Sequence, residues 1–198
     1  VEILSGFLLN QKIGNLIYHN VMLFLLNVKG WIFMSEEIAE AICRANIVNF
    51  GDFKFGDGRQ SPIYLNLRIL PSYPMIFKFI SDKIVGILAS INQDVVCGTD
   101  SAFALATAVS LKTNLPAIYV RKQRYSQRTM IEGVLNKNQK VVLITDIITN
   151  GYNKLRLIDG IRNAGGIIDN IVSVVDKEEG ADENLKKVAV TLHRLITL

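Results

Sequence analysis

The sequence predicts an α/β domain with a central, mainly parallel sheet, and three observations carry that prediction. From Asp94 onward, short β-branched runs take turns with longer segments whose apolar residues recur at helical spacing, an order that implies parallel pairing through right-handed crossovers. Within that series, Val141, Val142, Leu143 and Ile144 run into Thr145 and Asp146, and then through Thr149, Asn150, Gly151, Tyr152 and Asn153 into a helix-patterned segment. This reads as buried strand, site loop and helix start. Finally, a chain of 198 residues, 49% of them hydrophobic, suits one domain with a sizeable core.

Residues 1–33 read as an apolar N-terminal extension, and 34–198 as the domain proper. The uninterrupted apolar run Val21–Leu26 is far shorter than the roughly 20 residues that span a bilayer. A basic start and a small-residue cleavage site, the marks of a signal peptide, are missing. Two readings stand open: an extra hairpin or helix covering the core or a dimer face, or read-through upstream of a natural start at Met34.

From Ser35 the pattern becomes orderly. Ser35 suits an N-cap, Glu36 and Glu37 a first turn, and Ile38, Ala41, Ile42 and Ala45 recur at helical spacing. Phe53–Phe55 and Ile63–Leu70 read as two strands of a small hood, with Gly56, Asp57, Gly58 and Pro62 between them. The stripe Ile76, Phe77, Ile80, Ile84, Ile87 and Leu88 predicts a helix over 74–91. The alternating part then gives strand 94–97, loop 98–101, helix 102–112, strand 117–120 and a polar loop over 121–133. After the central strand come helix 154–164, a Gly165-Gly166 stop, strand 167–175, an acidic turn and a closing segment from Val188.

Composition narrows the partners. A formal charge of +4 and a pI near 9.1 favour anions, yet the basic residues are scattered and form no run of the nucleic-acid type. A phosphorylated small molecule fits better than DNA, and neither a nucleic acid nor a membrane is expected. Cys43 and Cys97 each sit among apolar residues and read as buried thiols, a weak sign of a reducing, cytoplasmic compartment. His19 and His193 share no metal-ligand spacing with cysteines or acids, so no metal built into the protein is expected.

The central loop is where chemistry is expected first. A loop entering a helix presents unpaired backbone N–H groups, which the helix dipole makes attractive to an anion. Gly151 allows a close backbone approach, Thr149 offers a hydroxyl, and Asn153 reads as the N-cap of the helix from Lys154. Asp146 stands at the carboxyl end of its strand, the end outside which open α/β sheets bind ligands. A plain strand-turn-helix with a surface Asp carries about equal weight on spacing alone.

Four segments in order resemble the type I phosphoribosyltransferases, and among them the orotate phosphoribosyltransferases, over about residues 35–198. They are FKFGDGRQSPIYLNLR, with Gly58, Arg59, Ser61 and Pro62 at its centre; LATAVSL after a glycine-led loop; YVRKQ followed by IEG; and the central stretch followed by VVDKEEGADENL. The resemblance implies transfer of ribose 5-phosphate from phosphoribosyl diphosphate to orotate in pyrimidine nucleotide biosynthesis. It also implies Mg²⁺ carried with the substrate and a homodimer that shares its active sites. Carried onto this chain, it assigns Asp146, Thr149, Asn150, Gly151, Tyr152 and Asn153 to phosphate and ribose, and Arg121, Lys122, Thr99 and Ser101 to the diphosphate. Asp146, Lys122 and Arg124 fall to catalysis, and Lys177 and Tyr64 to the base.

The chain also departs from that pattern. Thr145 replaces the first of two adjacent acids, Asn150 and Tyr152 replace smaller loop residues, and Asp100 puts an acid where a diphosphate should sit unless it caps the following helix. Beyond Arg121 and Lys122 the catalytic loop lacks the further lysine, leaving Arg124 or Arg128 to supply charge. Lys177 replaces an arginine, losing the bidentate fork. These departures imply catalysis that is weak, altered or lost. The alternatives are a non-catalytic nucleotide- or phosphate-binding regulatory module, or a partner subunit of an active phosphoribosyltransferase.

Overall fold

The computed structural model describes residues 45, 47–54, 58, 60–121 and 130–197. The expected N-terminal extension, the helix from Ser35 and Cys43 lie outside the described residues. The chain divides into two compact units, Val1–Ile76 and Phe77–Leu198.

In the first unit, β1 (Val48–Lys54) pairs antiparallel with β2 (Gln60–Leu65), the expected hood hairpin. Its first strand begins earlier than expected. Its second ends at Leu65, and Leu67–Ser72 forms a 3-10 helix where a strand to Leu70 was expected. The apolar residues there explain the difference. Leu67 and Leu70, three apart, are the buried pair, and that spacing aligns side chains in a 3-10 turn rather than along a strand.

Helix α1 (Pro74–Leu88) buries Ile76, Ile80, Ile84 and Leu88 along one stripe. The second unit then builds β3 (Val95–Gly98), α2 (Phe103–Thr113), β4 (Ala117–Val120), β5 (Ile131–Glu132) and β6 (Lys140–Ile148). It finishes with α3 (Tyr152–Asn163), β7 (Ile167–Asp176), α4 (Ala181–Lys186) and β8 (Thr191–Thr197). The sheet runs β5-β4-β3-β6-β7-β8, parallel throughout except for β5.

Helices cover both faces. Leu157, Ile158 and Ile161 of α3 join Val95, Cys97, Ile118, Val120, Val141, Leu143 and Ile171 in one apolar cluster. The alternate residues of the strands face the other way. There Gly98 lies against Phe103 and Ala106 of α2. The buried strands read as continuous apolar runs because neither face meets water.

Local features refine the expected elements. β5 pairs with β4 inside the stretch expected to be wholly loop, and Arg121 N–H donates to Met130 O at 2.8 Å beside it. The expected acidic turn contains α4, whose Ala181 and Leu185 are buried four residues apart. Helix α3 starts at Tyr152 with Gly151 in the N-cap position at φ +78°, so Asn153 is not the cap. The reason is that Gly151 adopts the left-handed backbone, which turns the chain into the helix two residues before the expected start.

Candidate active site

Strand order brings the candidate residues together. From β3 the chain moves outward to β4, and from β6 it moves outward to β7, so adjacent β3 and β6 mark the point where the order reverses. In open α/β sheets ligands bind at the carboxyl ends of such a pair. The loop after β3 and the loop after β6 both lie there, with Gly98 level with Ile144.

Gly98 sets the first loop. A Cβ at this position would stand 2.8 Å from Phe103 Cα and 3.0 Å from Ala106 Cβ, so the close seat of α2 on the strand end requires glycine. Thr99 N–H then donates to Ile144 O at 3.2 Å, and Ala102 N–H to Thr99 O at 3.0 Å. Ser101 donates its hydroxyl to Asp146 Oδ1 at 2.6 Å, and Thr99 Oγ1 lies 3.4 Å from Ser101 Oγ. The Thr145 hydroxyl is fully buried, 3.4 Å from the same carboxylate oxygen. Thr99, Ser101 and Asp146, separated in sequence, are therefore neighbours.

Asp100 does not cap α2, whose N-cap position is Ala102. Its carboxylate accepts the Tyr119 hydroxyl from β4 instead. Tyr119 packs its ring 5.3 Å from that of Phe103, and the Arg121 guanidinium lies 5.7 Å from the Tyr119 ring centre. Arg121, expected at the diphosphate, also pairs through Nε with Glu132 at 3.0 Å. Lys122, Arg124 and Arg128 lie outside the described residues.

The second loop is held from behind. Asn150 Oδ1 accepts Tyr152 N–H at 3.2 Å, and Gly151 O accepts Lys154 N–H at 2.8 Å. Asn184 of α4 donates to Asn150 O at 2.9 Å, and Ala181 lies against Gly151. Among the described residues, the amides of Thr149, Asn150 and Gly151 enter no backbone hydrogen bond. Tyr152, which stands where a smaller loop residue was expected, is 60% exposed and Asn153 is exposed, so neither side chain is packed into the loop.

At the end of β7, buried Asp176 accepts Arg194 Nη1 at 2.8 Å and Glu178 N–H at 2.9 Å, while Arg194 Nη2 bonds Asp182. The Asp182 hydrogen bond raises the Arg194 pKa further. Lys177, expected at the base, carries its ammonium 3.7 Å from Glu179. Tyr64 belongs to the first unit, where its ring lies 5.4 Å from Phe53. Sequence reasoning missed the parts played by Tyr119, Arg194, Asp182 and Asn184. The buried spacing of Ala181 and Leu185 was the available signal for the helix that carries two of them.

A parallel sheet with an antiparallel edge, helices on both faces and two site loops at the β3 and β6 ends define a phosphoribosyltransferase-type architecture. No protein-family profile matches the chain. It is 34% identical over 166 residues to an orotate phosphoribosyltransferase of Staphylothermus marinus, covering 82% of this chain and 81% of that one. The crystal structure of orotate phosphoribosyltransferase from Aeropyrum pernix superposes with a TM-score of 0.70 at 26% identity, covering 81% of this chain and 93% of that one. Leishmania donovani UMP synthase gives a TM-score of 0.74 at 32% identity over 82% of this chain, which spans 36% of that longer one. The chain belongs to the orotate phosphoribosyltransferase family.

Proposed function

We propose that the protein transfers ribose 5-phosphate from phosphoribosyl diphosphate to orotate, with catalysis weakened or altered by the replaced residues. The observation that carries this reading is the meeting of Thr99, Ser101 and Asp146 beside a loop whose amides are available for an anion. In the reaction the bond from ribose C1 to the diphosphate breaks, a new bond forms to the base nitrogen, and the diphosphate leaves with the electron pair. Charge grows on the departing diphosphate while the ribose becomes oxocarbenium-like, so holding and neutralising phosphate oxygens is the protein's main contribution.

Each loop has a part in that scheme. Amides of Thr149, Asn150 and Gly151 hold the 5-phosphate where the dipole of α3 favours negative charge. Asp146 accepts ribose hydroxyls while the Ser101 hydroxyl steadies its carboxylate, and Thr99 beside it donates to the diphosphate. Tyr119, by engaging Asp100, lessens the repulsion that an acid in this loop exerts. Lys122 and Arg124 supply charge to the leaving group.

Among the described residues no group of three metal-ligating side chains converges. Mg²⁺ commonly binds through one or two carboxylates together with substrate phosphates, and Asp146 suits that role. When bound it supplies charge neutralisation at the diphosphate. The reading includes a cytoplasmic homodimer. Among the described residues no helix is long and apolar enough to cross a membrane.

A second reading, a nucleotide-binding module without turnover, is favoured by buried Thr145 at the position of an acid and by Lys177 beside Glu179. The test is orotate absorbance on incubation with phosphoribosyl diphosphate and Mg²⁺. Slow loss of orotate, abolished by Asp146→Asn, supports transfer. Binding without turnover selects the second reading, and absence of both removes the two together.

A further inference from the structure

Helix α4 lies behind the phosphate loop and touches it at two points. Asn184 Nδ2 donates to Asn150 O at 2.9 Å, and the backbone and Cβ of Ala181 lie 3.5–3.6 Å from where a Gly151 Cβ would stand. The helix is itself fastened: Asp182 bonds Arg194 of β8, and Arg194 also holds buried Asp176 at the end of β7. Leu185 is fully buried. The remaining oxygen of the Asn184 amide accepts Lys187 Nζ at 3.0 Å, so its NH₂ group is the end aimed at the loop.

The peptide between Asn150 and Gly151 is planar and trans, so its C=O and N–H point in opposite directions. Its carbonyl is turned toward Asn184, and its N–H is therefore turned away from α4. Among the described residues that N–H enters no backbone hydrogen bond. Gly151 is the residue most able to rotate this peptide, because glycine crosses between positive and negative φ with little penalty. A single side-chain donor on the carbonyl fixes which way the amide faces.

We infer that Asn184 is a positioning residue: by holding the Asn150 carbonyl it turns the Gly151 N–H toward the phosphate of a phosphorylated ribose. This rests on the phosphate-binding role of the loop given above. Asn184 does not touch the ligand. It acts through the peptide, and its removal leaves the Asn150–Gly151 link free to rotate and withdraw a donor from the anion. Asp at the same position keeps the shape but cannot donate to a carbonyl, so it turns the peptide over.

The test is titration of the full, ¹⁵N-labelled chain with ribose 5-phosphate, alongside orotate as a control ligand that lacks a phosphoryl group. The wild type is expected to bind ribose 5-phosphate with a shift of the Gly151 amide resonance. Asn184→Ala weakens that binding roughly tenfold, the size of one hydrogen bond to a charged group, and abolishes the Gly151 shift. Asn184→Asp, nearly isosteric and so the safer variant for folding, weakens it at least as much. Lys187→Ala, which removes only the partner of the other amide oxygen, stays near wild type. Orotate affinity is the same in all four proteins. Ribose 5-phosphate affinity within twofold of wild type in Asn184→Asp, with the Gly151 shift retained, overturns the inference. Failure of the wild type itself to bind ribose 5-phosphate is a different outcome, which overturns the functional reading and the inference with it.

Discussion

The hydroxyl of Ser101 and the carboxylate of Asp146 meet at 2.6 Å across 45 residues of sequence. β3 and β6 are parallel neighbours, so this bond ties the loop after β3 to the end of β6 and fixes one carboxylate oxygen. Hydrogen bonds to charged groups contribute about 1.5–3 kcal/mol, and this one is partly buried. Ser101→Ala is expected to lower stability by about 1.5 kcal/mol in urea unfolding and to weaken phosphoribosyl diphosphate binding several-fold. An unchanged urea midpoint and affinity would show that the contact matters to neither.

Tyr119 has a separate task, to engage Asp100, the one acid in the loop after β3. Two unit charges 4 Å apart in water interact by about 1 kcal/mol, enough for a several-fold change in affinity. Tyr119→Phe leaves the Asp100 carboxylate without that donor. Calorimetry should show phosphoribosyl diphosphate bound several-fold more weakly at low salt, with the difference shrinking as salt screens it. Equal affinity in the two proteins at low salt would remove Tyr119 from the account.

Gly98 and Gly151 are needed for different reasons, which their alanine variants separate. At Gly151 φ is +78°, and the added Cβ meets Ala181 only at ordinary contact distance, so the cost is backbone strain of about 1–2 kcal/mol. At Gly98 the Cβ would press on Phe103 Cα at 2.8 Å, so α2 must shift, at about 1–3 kcal/mol. Both variants lose stability in urea. Gly151→Ala weakens ribose 5-phosphate binding, whereas Gly98→Ala displaces Thr99 and Ser101 and weakens phosphoribosyl diphosphate binding more than ribose 5-phosphate binding.

Much of this was legible because the signals were local. Buried strands such as Val141–Ile144 announce themselves as apolar runs, and the Ile80, Ile84 and Leu88 stripe marks a helix without help from its surroundings. What depended on strand order was not legible. Asp146 stands next to Ser101 only because β3 and β6 are adjacent, and Arg194 reaches Asp176 only because β8 lies beside β7. The cap of α3 was misplaced for a related reason. Asn153 has the right chemistry for an N-cap, but backbone geometry at Gly151 decided the start.

His193 gives the fold a dependence on pH. Burial, and then the charge of Arg194, pull its pKa below the ordinary 6.5, while its ring bonds Asn170 at 2.8 Å. The folded state therefore favours the neutral ring, and the unfolded state binds the proton more readily. This contribution is present above pH 6.5 and is lost as pH falls through the lower folded value. Thermal unfolding of wild type and His193→Gln should differ in slope over that acid range. Parallel curves would assign the acid loss to other groups.

The proposed transfer requires the loop ahead of α3 to hold a phosphoryl group beside Asp146. Calorimetric titration of the full chain with phosphoribosyl diphosphate, with and without Mg²⁺, tests it most directly. The account predicts saturable binding that Mg²⁺ tightens and Asp146→Asn weakens. No saturable heat with phosphoribosyl diphosphate or with uridine monophosphate, in either condition, would contradict it.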